Sequence, residues 1–184
     1  MDNNVDESTG PVRRRDLLEL LQEQGDITSE EADQARNRQR RARCSIQDAL
    51  MDLGNVSQDV IFRGVAAINE LPFIDLKEAQ IQDEAIQQIP RKVVLRYQFV
   101  PVKIEKGHLT AAFSEPPGIR ERQQLRTLLG IQRINPVIAT PQDIEMTNKN
   151  LFGLGMETVI EIEKTGTFSS DLATLREATV QDLE

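Results

Sequence analysis

Apolar residues recur at helical spacing through the first 70 residues, then switch to strand spacing further on. Leu17, Leu20 and Leu21 share one face of a predicted helix from about Val12 to Gln24, which Gly25 stops. Thr28-Ser29-Glu30-Glu31 is a capping box that opens a second helix, and only Ala32 and Ala35 face inward on it. So little apolar surface predicts shallow packing. Ser45 and Asp48 cap a third helix with Ile46, Ala49, Leu50 and Leu53 inward, stopped by Gly54. Ser57 caps a fourth, with Ile61, Val65 and Ile68 on one stripe. Leu17-to-Thr28 and Ile46-to-Ser57 are thus two writings of one pattern, helix, glycine, β-branched residue and N-cap, at a period of 29 residues. Two helical hairpins of this kind make a small bundle over residues 11–70.

The pattern changes at Leu71-Pro72-Phe73-Ile74-Asp75-Leu76, where Pro72 imposes an extended chain. Glu84 to Ile89 is a helical turn, and Pro90 at position N1 opens a helix reaching about Tyr97. Phe99 to Ile104 alternates as a strand, Glu105-Lys106-Gly107-His108 is a turn, and Leu109 to Phe113 is the returning strand. A helix from Ile119 to Leu129, with Leu125, Leu128 and Leu129 inward, ends at Gly130. Arg133 to Ile138 is a third strand, placed at a sheet edge by Pro136. Thr140-Pro141 starts a last helix that ends near Phe152-Gly153. The expected fold class is α+β: a four-helix subdomain of two helical hairpins, then at 71–155 a small three-stranded sheet covered by helices. Residues 1–10 are expected to be disordered, and 156–184 to form an acidic tail or linker.

Composition narrows the class. Aromatic residues are 4% and Trp is absent, so the core must be built of Leu, Ile, Val and Ala. A net charge of −8 disfavours nucleic acid and anionic membranes as partners. The one cysteine, Cys44, forms no internal disulfide, and no apolar run is long enough to cross a bilayer, so a cytoplasmic location is expected without membrane insertion. No Gly-x-x-x-x-Gly-Lys-Ser/Thr cradle for a triphosphate occurs. One His and one Cys make no recognisable zinc cluster, and His108 sits in a predicted turn without a nucleophile motif. The chain therefore reads as non-enzymatic, with no cofactor and no metal.

One charge cluster stands out. Arg36, Arg38, Arg40, Arg41 and Arg43 crowd the end of the second helix. Arginine at a helix C-terminus complements the dipole and stays solvated. The same cluster can also serve as a partner-binding surface, because guanidinium forks match carboxylates. The acidic residues after Met156 are a competing intrachain target for it.

The 29-residue repeat, the Leu71-to-Leu76 linker, Ile89-Pro90, Leu109-Thr110-Ala111-Ala112-Phe113-Ser114-Glu115-Pro116 and Pro136-Val137-Ile138-Ala139-Thr140 follow in a characteristic order. Over roughly residues 12–155 the chain resembles the N-terminal (MshEN) domain of the type II secretion and type IV pilus assembly ATPases. The resemblance implies a helical subdomain followed by an α/β subdomain. In some members the tandem helical motifs bind cyclic di-GMP. Each such motif opens Arg-Leu-Gly, places paired aliphatics before a glycine stop, and closes with two leucines and a glutamine. Carried over residue by residue, the candidate ligand positions are Leu17, Leu21, Gly25 and Gln39 in the first copy and Ile46, Leu50 and Gly54 in the second. The motif arginine, however, falls on Asp16 and Ser45, the motif glycine on Leu18 and Gln47, and the second-helix leucines of the first copy on Ala32 and Arg36. An acid where a phosphate would sit, and bulk where backbone must approach a ligand, imply a retained scaffold and a lost nucleotide site. The expected function is a non-catalytic adaptor or regulatory domain, partnered by a protein of the secretion or pilus machinery or by an assembly ATPase. A cyclic di-GMP receptor is the alternative.

Overall fold

The computed structural model describes residues 16–153. The readings placed on residues 1–15 and 154–184 lie outside them. Four helices come first: α1 (Leu17–Gln24), α2 (Ser29–Ala42), α3 (Ile46–Leu53) and α4 (Gln58–Ile68). They are followed by α5 (Asp83–Gln88), α6 (Arg91–Tyr97), β1 (Phe99–Glu105), β2 (His108–Phe113), α7 (Ile119–Leu129), β3 (Arg133–Ile138) and α8 (Pro141–Phe152). The fold is α+β, as the sequence pattern predicts.

The caps set the helical half. Asp16 is extended and accepts from the Leu18 amide, so α1 begins at Leu17 and not near Val12 as the apolar spacing predicts. Thr28 and Glu31 close the expected capping box, and Ser45 and Asp48, expected to cap α3, close a second one. Gly25 and Gly54 end α1 and α3 at φ 78° and 68°, a left-handed conformation that costs a glycine little. One core cluster joins Leu17, Leu18, Leu21, Ala32, Ala35, Leu50, Ile61, Phe62 and Val65. Gly64 lets α4 approach α1 closely: a Cβ there would stand 2.7 Å from Leu17 Cδ1. Ile46, Leu53 and Ile68, expected inward, are only half-buried, because they flank this cluster at its margin.

The sheet has the order β1-β2-β3. β1 and β2 are antiparallel, with a register shift between Pro101 and Lys103. β2 and β3 are parallel, joined through α7 as a parallel pair requires. Val93, Val94 and Leu125 from α6 and α7 meet Phe99, Leu109, Ala111, Phe113 and Ile134 on one face. Leu76 and Ile144 meet Val100, Val102, Ala112 and Val137 on the other. Covering both faces explains why Phe99 to Val102 are all buried, where a one-sided strand would alternate. Pro136 is indeed on an edge strand. Pro90 precedes α6 as its N-cap, one position earlier than expected, and Leu128 and Leu129 are half-buried.

The linker ties the halves together. Ile74 donates to the Ile138 carbonyl and Ile138 to the Pro72 carbonyl, both at 2.8 Å, which extends the β3 edge. Ile138 itself belongs to the helical core cluster. The Arg63 guanidinium lies 4.4 Å over the Phe73 ring. Lys77 Nζ reaches buried Asp143 Oδ1 at 3.1 Å, and this carboxylate raises the Lys77 pKa, by hydrogen bond first and by charge second.

Candidate functional site

The opening of α1 is where the repeat's chemistry is read. Asp16 Oδ1 accepts from the Leu18 amide at 3.2 Å, and Asp16 Oδ2 lies 3.5 Å from a guanidinium nitrogen of Arg36 on α2. Arg36 also pairs with Asp33 at 3.5 Å. Leu18 is 1% exposed and packs inside the helical core. Of the seven candidate ligand positions, Leu17, Leu21 and Leu50 are core residues. Ile46 and Gln39 are half-buried, and Gly25 and Gly54 are exposed at the two helix stops. The arrangement offers a ligand two glycine corners and little side chain between them.

The five arginines do not form one uniform patch. Arg38 donates from Nε at 3.0 Å and from a terminal nitrogen at 2.7 Å to Asp52 Oδ2, pinning α2 to α3. Asp52 raises the Arg38 pKa, through the hydrogen bonds first and charge second. Arg40 turns back to the Arg36 carbonyl and the Asn37 side chain. Arg41 and Arg43 are exposed, and Arg43 caps α2 in a left-handed conformation at φ 53°. Two arginines thus hold α2 against its neighbours while the end of the helix presents the rest. Asp16 and Asp52, the partners that divide the cluster, were not singled out from sequence as partners. Their only sequence signal is an acid at an N-cap and another on the solvent side of α3.

His108 is exposed at the start of β2, as its turn position predicts. Among the described residues no group of three or more His, Cys, Asp or Glu is arranged to hold a metal. No described helix is long and apolar enough to cross a membrane. A groove of about 530 Å³ runs between α6 and α7, with Arg96, Tyr97, Arg120, Gln124 and Leu128 among its walls. Sequence reading missed it, because the two helices that form it are separated by the β-hairpin.

A hairpin-paired helical bundle leaning on a helix-covered three-stranded sheet has counterparts among known proteins. Residues 69–157 match the family model described as MshEN domain. Over those residues the chain is similar to an MshEN domain, in line with the resemblance drawn from its sequence. A solved structure of MshE with cdg (cyclic di-GMP) superposes with a TM-score of 0.64 at 24% identity, over 75% of this chain and 99% of that one. The N-terminal domain of XpsE superposes with a TM-score of 0.55 at 16% identity, over 72% of this chain and 91% of that one. At these identities the likeness shows the fold, and it reaches into the helical half, which the family model leaves unmatched. A search of curated proteins finds no match.

Proposed function

We propose that this chain is a non-catalytic regulatory domain. It docks in the cytoplasm on a protein of a type II secretion or type IV pilus machine, or on the assembly ATPase of that machine. In this reading the helical hairpins keep the family scaffold and no longer hold cyclic di-GMP. The observation that carries it is the opening of α1. Where the resemblance puts an arginine and a glycine, this chain has Asp16, already occupied as a cap and by Arg36, and Leu18, packed in the core. A phosphate there would face a carboxylate, and a ligand would have to displace a buried leucine. Partner docking is assigned to the end of α2, where Arg40, Arg41 and Arg43 are presented and Arg36 and Arg38 fix the helix.

Isothermal titration of the full chain with cyclic di-GMP should give no binding heat up to about 100 μM ligand. Micromolar or tighter binding overturns the lost-site reading. The receptor alternative is favoured by one observation: both glycine stops survive, and among the described residues no atom outside their chain neighbours lies within 4 Å of a Cβ built on Gly25 or Gly54. Pull-down against the machine's cytoplasmic proteins should weaken in the Arg40→Ser/Arg41→Ser/Arg43→Ser variant. Unchanged capture and unchanged salt dependence would return the cluster to a solvated helix end.

A further inference from the structure

The segment from Pro72 to Gln82 is fastened to both outer edges of the sheet. Its beginning is bonded to β3, where Ile74 and Pro72 bracket Ile138. Its end is bonded to β1: the Gln82 amide donates to the Val102 carbonyl at 2.9 Å, and the Gln82 side-chain oxygen accepts from the Ile104 amide at 3.2 Å. Since β1 and β3 are the outer strands, the chain crosses one face of the sheet between these two points. It crosses the face that α8 also covers, where Leu76 joins Val100, Val102, Ala112, Val137 and Ile144. The crossing itself is lightly held. Leu76, 5% exposed, is its one buried side chain, and Ile74, Ala79 and Ile81 are half-buried around the same cluster. Among the described residues no backbone hydrogen bond ties 75–81 to a strand. The turn closes on itself instead: Asp75 Oδ1 accepts from the Lys77 amide at 2.9 Å, and the Asp75 carbonyl accepts from the Ala79 amide at 3.0 Å.

That turn sets Lys77 against α8, with its Nζ 3.1 Å from Asp143 Oδ1. The Asp143 side chain is 2% exposed, and a carboxylate so deeply buried is costly without a partner charge. Lys77 supplies that charge from the outside, its own side chain being 65% exposed. The charges of Asp59 on α4 and of Asp75 add weaker attraction for the same amine. A cation reachable from solvent thus answers a buried acid at the middle of the crossing.

We propose that residues 75–81 form a strap that opens as a unit, with the Lys77–Asp143 pair as its clasp. When the pair breaks, the strap lifts from the sheet while its two ends stay bonded to β3 and β1. Lifting withdraws Leu76 and uncovers Val100, Val102 and Val137 on that face. Local opening of this kind follows from few buried contacts and from backbone that is not tied into the sheet. The device is separate from the end of α2 and does not depend on what binds there.

Amide hydrogen exchange of the full chain, read residue by residue by NMR and compared with intrinsic rates, tests it. Lys77→Met should speed exchange at positions 77 and 79 by about tenfold or more, because the buried carboxylate then lacks its cation. The amides of Ile74, Gln82, Ile104 and Ile138 should keep the parent's protection. Lys77→Met/Asp143→Asn, which removes the buried charge as well, should bring positions 77 and 79 back toward the parent. Lys103→Met, which removes an exposed pair with Glu105, should leave the strap as it is in the parent. Parent-like exchange at positions 77 and 79 in Lys77→Met overturns the proposal. So does a loss of protection shared by the end amides or by β2, since the pair would then support the whole fold and not a strap. No recovery in the double variant overturns it too, because charge would not be what holds the strap down.

Discussion

Gly64→Ala tests whether α1 is held against α4 as closely as the structure shows. On an exposed helix this change gains about 1 kcal/mol, because alanine orders its backbone at less cost. Here the new methyl carbon would stand 2.7 Å from Leu17 Cδ1 and 3.3 Å from Leu21 Cδ2. Carbon atoms rest at about 3.5–4.0 Å, so Leu17 must move. It is 2% exposed and Leu21 is 0% exposed, which leaves little room. Overpacking of a tight core costs about 1–3 kcal/mol. The net expectation is a destabilisation of about 0–2 kcal/mol, opposite in sign to the propensity gain. Leu17→Ala alone should cost about 2–5 kcal/mol as a cavity. In that background Gly64→Ala should stabilise by about 1 kcal/mol, since the clash is gone and the propensity gain remains. Urea denaturation of the four proteins closes the cycle and should give a favourable coupling of about 1–3 kcal/mol. If Gly64→Ala alone stabilises by the full helix-propensity amount, or the two changes add, the helices are not in tight contact. Leu17 would then be free to turn toward a ligand.

Leu50, 2% exposed in the same cluster, should cost about 2–5 kcal/mol when replaced by Ala, read as a fall in the urea midpoint at unchanged slope. The capping box predicts a pH dependence. The Thr28 amide first, and then its hydroxyl, hold the Glu31 carboxylate below its ordinary pKa. The resulting stability is present above the ordinary carboxylate value and is lost as pH falls through the lowered one. The thermal midpoint difference between the parent and Glu31→Gln should therefore be largest near neutral pH and close in acid. A difference that ignores pH would mean that the box contributes through shape alone.

Local signals carried much of the fold. Gly25, Gly54, Thr28, Ser45, Thr140 and Pro141 act within a few residues of themselves, so their caps and stops were legible without tertiary information. The period of 29 residues needs only the chain. Pro136 lacks the donor that an inner strand uses on both sides, so its edge position was legible too. Burial was less so. Ile46, Leu53, Leu128 and Leu129 have the right spacing, but which flank of a helix is covered depends on what lies across from it. The four buried positions at the start of β1 need a sheet covered on both faces, which no single strand encodes.

The functional surfaces divide the same way. The sequence alone places five arginines within eight positions and an acid at Asp16, where the resemblance implies a base. Only the tertiary structure decides that Asp16 meets Arg36 and Asp52 meets Arg38, because those partners lie 20 and 14 positions apart and are joined by packing. Likewise α6 and α7 are separated by the whole β-hairpin, and they become neighbours because Val93, Val94 and Leu125 bury against the same side of the sheet. Hydrophobic burial set that arrangement, and the polar sides of the two helices were carried along to the outside.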